Sequence, residues 1–440
     1  MAAPQQSELV GFLRDLIRCD TSNPPGNERP AVDYLDAVFK KEGFDTVIVE
    51  PAPRRANIVT RLKGDGSKRP LLLSAHLDVV PALEPGWKQP AFSGAVHDGY
   101  IWGRGAVDMK HMAAMSLWTL LELKRKKVRL ARDVIFAGVA DEEAGGRFGA
   151  GYLVDHRRDL IDAEFCLTEL GGMAVPMNGR FLVPVQVAQK GYVWFRLKAK
   201  GQAGHGSRPK PGSAVEKLAA AVHKLSTQGL EYRLTASTRA FLDGVRSLQS
   251  PLHSAALKGL YSAGTAGTTL KLLPEERRSV FYAMLHNTAS VTGLSAGVKV
   301  NVIPGEATAE VDGRFLPGVT QAQYLDQVRA VVGPDVELEP FDSAEPLEIE
   351  HQSELWDVIE RVMTRRLKNV KVVPNMIPGM TDAKDFDRAG IKTYGFAPVA
   401  LEADEPFADL YHAPNERISV AGFQVGASWL HEVVKEFCAA

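Results

Sequence analysis

Pro70-Leu-Leu-Leu-Ser-Ala-His76-Leu-Asp78-Val-Val-Pro81 is a near-continuous apolar run that closes on polar residues. A run of this kind is a strand buried on both faces, in a sheet covered by helices, rather than the alternating strand of a half-exposed sheet. In open α/β sheets ligands bind beyond the carboxyl ends of the strands, so His76 and Asp78 stand where chemistry is expected. Two positions apart, they point to the same side if the strand continues through both. Taken alone, Asp78 reads equally well as a strand-end residue bonding a turn amide.

Further along, the pattern repeats. In Trp102-Gly-Arg-Gly-Ala-Val-Asp108-Met-Lys, two glycines allow tight turning or close approach, and Met112 to Leu123 then reads as an apolar helix. Asp108 falls where that helix begins, a favourable place for a negative charge. Asp133-Val-Ile-Phe-Ala-Gly-Val-Ala-Asp141-Glu142-Glu143 is an apolar strand ending in three acids, which repel unless something positive neutralises them. Ala163-Glu-Phe-Cys-Leu-Thr-Glu169 ends on an acid before two glycines, and Tyr411-His412-Ala-Pro-Asn-Glu416 adds a histidine in a loop before the last helix. Singly, each is an ordinary cap or a solvated turn. Together His76, Asp108, Glu143, Glu169 and His412 are two imidazoles and three carboxylates, the ligand types of zinc and similar divalent ions.

Charge balance favours two ions. Three carboxylates against two divalent cations leave about +1, which a hydroxide cancels, whereas a single cation leaves the site anionic. Asp108, with two oxygens, is the natural bridge. Glu142, beside a ligand but turned differently, is the candidate general base. Asp78 is expected to hold the His76 ring in the correct tautomer. His111, one turn beyond Asp108, is not expected to be a ligand.

Composition sets outer limits. The 440 residues suffice for two domains, and 45% hydrophobic with 24% charged residues is ordinary for a soluble globular chain. A formal net charge of -1, without a basic stripe or acidic tail, argues against nucleic acid or an anionic membrane as partner and for a small-molecule substrate. Cys19, Cys166 and Cys438 are few and scattered, which points away from a disulfide framework and toward a reducing, cytoplasmic setting. The first residues lead into an amphipathic helix over Ser7–Arg18, so neither a signal peptide nor a membrane span is expected.

The segments around His76–Asp78, Gly103–Lys110, Asp141–Glu143 and His412 resemble, in order and spacing, the dizinc metallopeptidase family of aminoacylases, glutamate carboxypeptidase, carboxypeptidase S-like enzymes and succinyl-diaminopimelate desuccinylase. The resemblance covers nearly the whole chain. It implies that His76, Asp108 and Glu169 hold one Zn2+, that Asp108, Glu143 and His412 hold the other (Co2+ or Mn2+ as substitutes), that Glu142 is the base, and that the Asp108–Met109 peptide is cis. It also implies an α/β fold. A zinc-peptidase-like catalytic domain, with a mixed sheet flanked by helices, spans residues 1–188 and 346–440. An inserted α+β, ferredoxin-like lid and dimerisation domain spans 189–345, with a helical insertion at about 231–295.

Within that lid, Tyr192–Ala199, Lys299–Ile303, Ala307–Phe315 and Val336–Glu339 read as strands, and Ser213–Leu225 and Gln321–Val332 as helices. His205, in Gly201-Gln-Ala-Gly-His-Gly, resembles the lid histidine that polarises the scissile carbonyl, often in a partner subunit's site. Asn301 and Arg314 resemble positions that bind a substrate carboxylate, although Asp312 and Arg314 could equally form a surface pair. Gly379 and Thr381 resemble a substrate-facing loop. The expected activity is amide or peptide hydrolysis on a small substrate with a free carboxylate, an N-acyl amino acid or a short peptide, with a homodimer formed through the lid. Two alternatives are a metal-free binding protein on the same fold and a serine hydrolase using Ser295 of Gly293-Leu-Ser-Ala-Gly297. The strand-like residues that follow Ser295 argue against the latter.

Overall fold

A computed structural model describes residues 3–83, 85–403, 405 and 407–440; Met1 and Ala2, where the first expected domain span begins, lie outside them. The chain forms two compact units, one of Met1–Val187, Ile349–Asn375 and Thr381–Ala440, the other of Ala188–Glu348 and Met376–Met380. Gly379 and Thr381 therefore fall in different units.

The first unit is built on a mixed sheet whose neighbouring strands run Thr46–Ala52, Arg55–Leu62, Val134–Val139, Leu71–His76, Phe165–Thr168, Lys392–Gly395 and Arg180–Gln189. Leu71–His76 and Val134–Val139 are buried at every position, as their unbroken apolar sequences require. They run parallel, with Leu71 opposite Val134 and His76 opposite Val139, and Phe165–Thr168 and Lys392–Gly395 continue in the same direction. Four strand ends thus open on one edge. The helix Lys110–Arg125 is buried from Lys110 to Leu123, all round its circumference, and packs against the sheet and against the helix Val420–Cys438. The ladder of Leu71–His76 stops at the histidine. Leu77 still bonds to Val139, but Val79 turns to bond Thr21, so His76 and Asp78 do not share a strand face. The Asp108–Met109 peptide is cis. Among the described residues no helix is long and apolar enough to cross a membrane.

The second unit is an antiparallel sheet in the order Thr288–Ala296, Glu306–Phe315, Gly191–Lys200, Val336–Ala344. Gly191–Lys200 alternates, with Val193, Phe195, Leu197 and Ala199 buried between flanking positions that are more exposed. Those residues pack on the helices Ala214–Gln228 and Gln321–Val332, each opened by a capping box, Ser213 with Glu216 and Thr320 with Gln323.

Two expectations need correction here. The expected strand 299–303 is reduced to Val302–Ile303, paired with Gly204–His205. The expected helical insertion 231–295 stops earlier. Its helices Ala236–Ser247, Pro251–Leu257, Ala263–Lys271 and Glu275–Leu285 are followed by Thr288–Ala296, the edge strand of the sheet. Thr-Ala-Ser-Val-Thr-Gly-Leu-Ser carries a weak hydrophobic period because an edge strand faces solvent, and its β-branched residues are the only local signal. Buried Lys190 joins the insertion to the sheet: Nζ donates to the carbonyls of Ala283 (3.1 Å) and His286 (2.8 Å) and to Thr288 Oγ1 (3.1 Å). A cation suits the carboxyl end of the helix Glu275–Leu285. Ser295 lies on the edge strand opposite Thr308, and the next described helix is Gln321–Val332. The strand, turn and helix of a serine nucleophile are therefore not formed around it.

Candidate metal centre

All five ligand-type residues gather at the carboxyl edge of the parallel strands in the first unit. His76 ends its strand with Nδ1 3.0 Å from the Asp78 carbonyl and Nε2 3.0 Å from Asp108 Oδ1. Glu169 Oε2 lies 3.6 Å from the same Nε2. The second oxygen of Asp108 faces His412, with Oδ2 3.1 Å from Nε2, and Glu143 Oε2 is 3.2 Å from that nitrogen. Two triplets result, His76–Asp108–Glu169 and Asp108–Glu143–His412, and the ligand atoms within each all lie within 4.8 Å of one another. Donors 2.0–2.2 Å from a tetrahedral ion stand about 3.4 Å apart, which the distances of 3.0 to 3.6 Å bracket. Glu143 Oε1 is buried without a hydrogen-bond partner among the described residues, a lone pair left over for a cation. The donors present therefore fit a pair of divalent ions.

The electrostatics have the same cause. Burial works against protonation of His76, but the Glu169 charge and the hydrogen bond to Asp108 outweigh it and raise its pKa well above the ordinary value. Hydrogen bonds to Asp108 and Glu143 push His412 up to about 10, with its side chain 54% exposed. Asp108 is held below the usual carboxylate range because its bonds from His412 and His76 overcome burial. Burial pushes Glu169 up to about 7, and burial together with the Glu169 charge raises Glu142 well above the carboxylate range. The crowded carboxylates favour positive charge at this site.

Asp78 stands at both His76 and the acidic turn. Its carboxylate Oδ1 is 3.6 Å from His76 Nδ1, and its main-chain carbonyl is 3.0 Å from the same nitrogen. The carboxylate itself accepts the amides of Glu142 (Oδ1, 3.1 Å) and Glu143 (Oδ2, 3.2 Å), so it positions the acidic turn. Asp108 does not cap the helix that follows; its oxygens go to the two histidines.

Several supporting residues carried no local sequence signal. Arg104, between the two glycines, is fully buried and donates to Glu416 Oε2 (2.9 Å) and to the carbonyls of His412 and Ala413 (3.2 Å each). Glu416 Oε1 in turn accepts the amides of Val107 (2.7 Å) and Asp108 (3.1 Å). This pair ties the loop carrying Asp108 to the loop carrying His412 across three hundred positions of sequence. Gly103, at φ +150°, leaves no room for a side chain: a Cβ there would stand 2.4 Å from Ile17. Arg104→Met leaves the buried Glu416 carboxylate without its counter-charge, and breaking such a pair costs about 3–5 kcal/mol; a fall of that size in urea unfolding of the metal-free protein is expected. Asp382, beside Thr381, is also buried, and burial raises it to about 8. Thr381 Oγ1 accepts the amide of Ala383. His111 belongs to neither triplet, and burial lowers it to about 4.

In the second unit, the segments carrying His205 and Asn301 pair: Gly206 donates to the Asn301 carbonyl (2.8 Å), and His205 pairs with Val302. The Ser207 amide donates to His205 Nδ1 (3.2 Å), so in the neutral ring Nε2 carries the hydrogen. Arg314 is clamped by Asp312, at 2.7 and 3.1 Å, and lies 5.5 Å from the Tyr192 ring. From Glu306, at the end of the strand near His205, to Arg314 the strand runs roughly 26 Å. The backbone thus lays His205 and Gly206 beside Asn301 and Val302, with Arg314 toward the other end of its strand.

Residues 72–436 match the model of peptidase family M20/M25/M40. The chain is 28% identical to the N-fatty-acyl-amino acid synthase/hydrolase PM20D1 of Xenopus tropicalis, over 95% of this chain and 84% of that protein. It is 28% identical to a probable carboxypeptidase S-like 2 of Dictyostelium discoideum (86% and 74%) and 27% identical to human aminoacylase-1 (96% and 93%). Among solved structures, the M20 family metallo-carboxypeptidase Sso-CP2 from Sulfolobus solfataricus shares the fold, with a TM-score of 0.71, 18% identity and 99% of each chain covered. A dinuclear metal-binding M20 peptidase, the YXEP protein of Bacillus subtilis, shares it at a TM-score of 0.64, with 14% identity and 99% of each chain covered.

Proposed function

The chain belongs to peptidase family M20/M25/M40, and from that premise we propose that it is a two-metal hydrolase that cleaves the amide bond of N-acyl amino acids. The observation that carries the reading is Asp108, whose two oxygens each face a different histidine, each histidine being faced by a further glutamate. His76, Asp108 and Glu169 would hold one ion, and Asp108, Glu143 and His412 the other. Zinc suits the imidazole and carboxylate donors, with Co2+ or Mn2+ able to replace it. When bound, such a pair polarises the scissile carbonyl and lowers the pKa of a water. Glu142 takes the proton from the attacking water on a carboxylate oxygen and delivers it to the leaving nitrogen. Asp78 keeps Glu142 and Glu143 in register through their amides.

His205, donating from Nε2, is suited to the carbonyl oxygen as negative charge develops there, with Asn301 beside it. Asn301 and Arg314 are proposed to bind the substrate's free carboxylate, and Gly379 and Thr381 to belong to a substrate-facing loop. The strand length separating Arg314 from His205 and Asn301 supports a homodimer in which the partner subunit supplies the histidine. The acyl amino acid is favoured over a peptide by the activities for which the PM20D1 and aminoacylase-1 relatives are named; the carboxypeptidase S-like relative keeps a C-terminal peptidase as the second reading. Three free cysteines, two of them buried, accord with a reducing compartment such as the cytoplasm.

N-acetyl-leucine, N-lauroyl-leucine and glycyl-leucine, offered to zinc-loaded and chelator-stripped protein, test this. Zinc-dependent release of leucine from an acyl compound is the expected result. Cleavage of glycyl-leucine alone would transfer the assignment to a peptidase. Hydrolysis that survives complete removal of metal would overturn the two-metal reading.

A further inference from the structure

We infer that Asn23, backed by Arg55, is a positioning residue that fixes the acidic turn carrying Glu142 and Glu143. The inference rests on the reading of Glu142 as base and Glu143 as ligand, and deepens it. The segment before Pro24 is stitched to the chain leaving the His76 strand. Thr21 Oγ1 donates to the Leu77 carbonyl (2.6 Å), the Val79 amide to the Thr21 carbonyl (3.2 Å), and the Asn23 amide to the Val79 carbonyl (2.8 Å). This lays the Asn23 side chain between two carboxylates. Its Nδ2 donates to Asp78 Oδ2 (2.8 Å) and to Asp141 Oδ1 (3.2 Å). The amide has two hydrogens, and both are used.

All three side chains are buried, so two neighbouring carboxylates depend on a shared donor for their approach. Asp141 is held from its other sides as well. Arg55 Nη2 reaches Oδ1 at 2.6 Å, and the Phe148 amide reaches Oδ2 at 3.1 Å. Arg55 is locked in turn by a two-bond pairing with buried Glu28, at 3.0 and 2.9 Å, and it lies against Gly26, where a Cβ would stand 2.3 Å from the guanidinium carbon.

The geometry makes this network a control on the acidic turn. Asp141 immediately precedes Glu142 and adopts φ +71°, while Asp78 holds the amides of Glu142 and Glu143. The turn therefore hangs from two carboxylates, and Asn23 is the one side chain among the described residues that donates to both. His76 faces the Asp78 carbonyl at 3.0 Å, nearer than the Asp78 carboxylate at 3.6 Å, and its other nitrogen faces Asp108 and Glu169. Loss of Asn23 should accordingly disturb the Glu143 side of the metal pair and the base, and spare the triplet of His76, Asp108 and Glu169.

The test is a Co2+ titration of chelator-stripped full-length protein, followed by visible absorption and calorimetry, together with steady-state turnover of N-acetyl-leucine. In Asn23→Ala, one of the two Co2+ steps should weaken roughly 10- to 100-fold and kcat should fall by a similar factor, while the other step and KM stay near wild type. Asn23→Asp, which sets a third carboxylate beside two, should do at least as much. Should Asn23→Ala not fold, Asn23→Ser and Arg55→Lys carry the same readouts. Equal weakening of both steps, or a lowered melting temperature with both steps and kcat unchanged, would mean a merely structural residue and overturn the inference. Adding Asn23→Ala to Glu142→Gln should lower the residual kcat less than it lowers the wild-type value. Wild-type turnover in Glu142→Gln would instead strike the reading of the base, leaving the Co2+ asymmetry to judge Asn23.

Discussion

Glu142→Gln should bind two metal ions per chain and yet lose roughly 10^2–10^4 in kcat, the range that a positioned general base contributes. Glutamine keeps the size and the carbonyl oxygen of the side chain but cannot accept the proton. The backbone amide of Glu142 would still reach Asp78, so the turn should keep its place and Glu143 its approach to His412. KM should change little, because the lost interaction belongs to the transition state. The same change removes a carboxylate whose ionisation is opposed by burial and by the neighbouring Glu169 and Asp382 charges. The metal-free variant should therefore melt no lower than wild type, since it sheds a group retained for activity rather than stability. Metal analysis, steady-state kinetics and melting on one preparation settle the matter; kcat within a few-fold of wild type removes Glu142 from the role.

Asp108→Ala should be the more damaging substitution, abolishing turnover and metal binding together. Each triplet counts Asp108 as a member, so one substitution takes a donor from both and leaves two histidines without their shared carboxylate. The affinity lost at each position should exceed the 10- to 100-fold typical of groups that only orient a ligand. His412→Ala is the informative partner, because it takes a donor from one triplet only. Titration with Zn2+ should show no high-affinity step in Asp108→Ala and one in His412→Ala. Two intact steps in Asp108→Ala would sink the bridging assignment, and none in His412→Ala would point to a single shared ion.

The legible part of the molecule is the part where burial leaves a local mark. Leu71–His76 and Val134–Val139 are covered on both faces, so nearly every position must be apolar, and polar residues can appear only where the strand ends. That constraint makes the α/β sheet legible and sets His76, the acids after Val139 and Glu169 apart from the apolar runs they end. The alternation of Gly191–Lys200 marks a sheet with one covered face in the same way. The edge strand Thr288–Ala296 lacks such a mark, being open to solvent, and so passed as part of a helical insertion.

From its sequence alone the chain determines the class of fold, the residue types able to hold cations and their placement at strand ends, because periodicity and composition are properties of neighbours along the chain. Which atoms meet is decided only by the tertiary structure. It divides Asp108 between two histidines, turns the Asp78 carboxylate to the amides of Glu142 and Glu143 and its carbonyl to the His76 ring, and clasps Arg104 to Glu416 and Asn23 to Asp78 and Asp141. Buried polar groups must find partners wherever the folded chain brings them. A partner three hundred residues away leaves no period in the sequence to read.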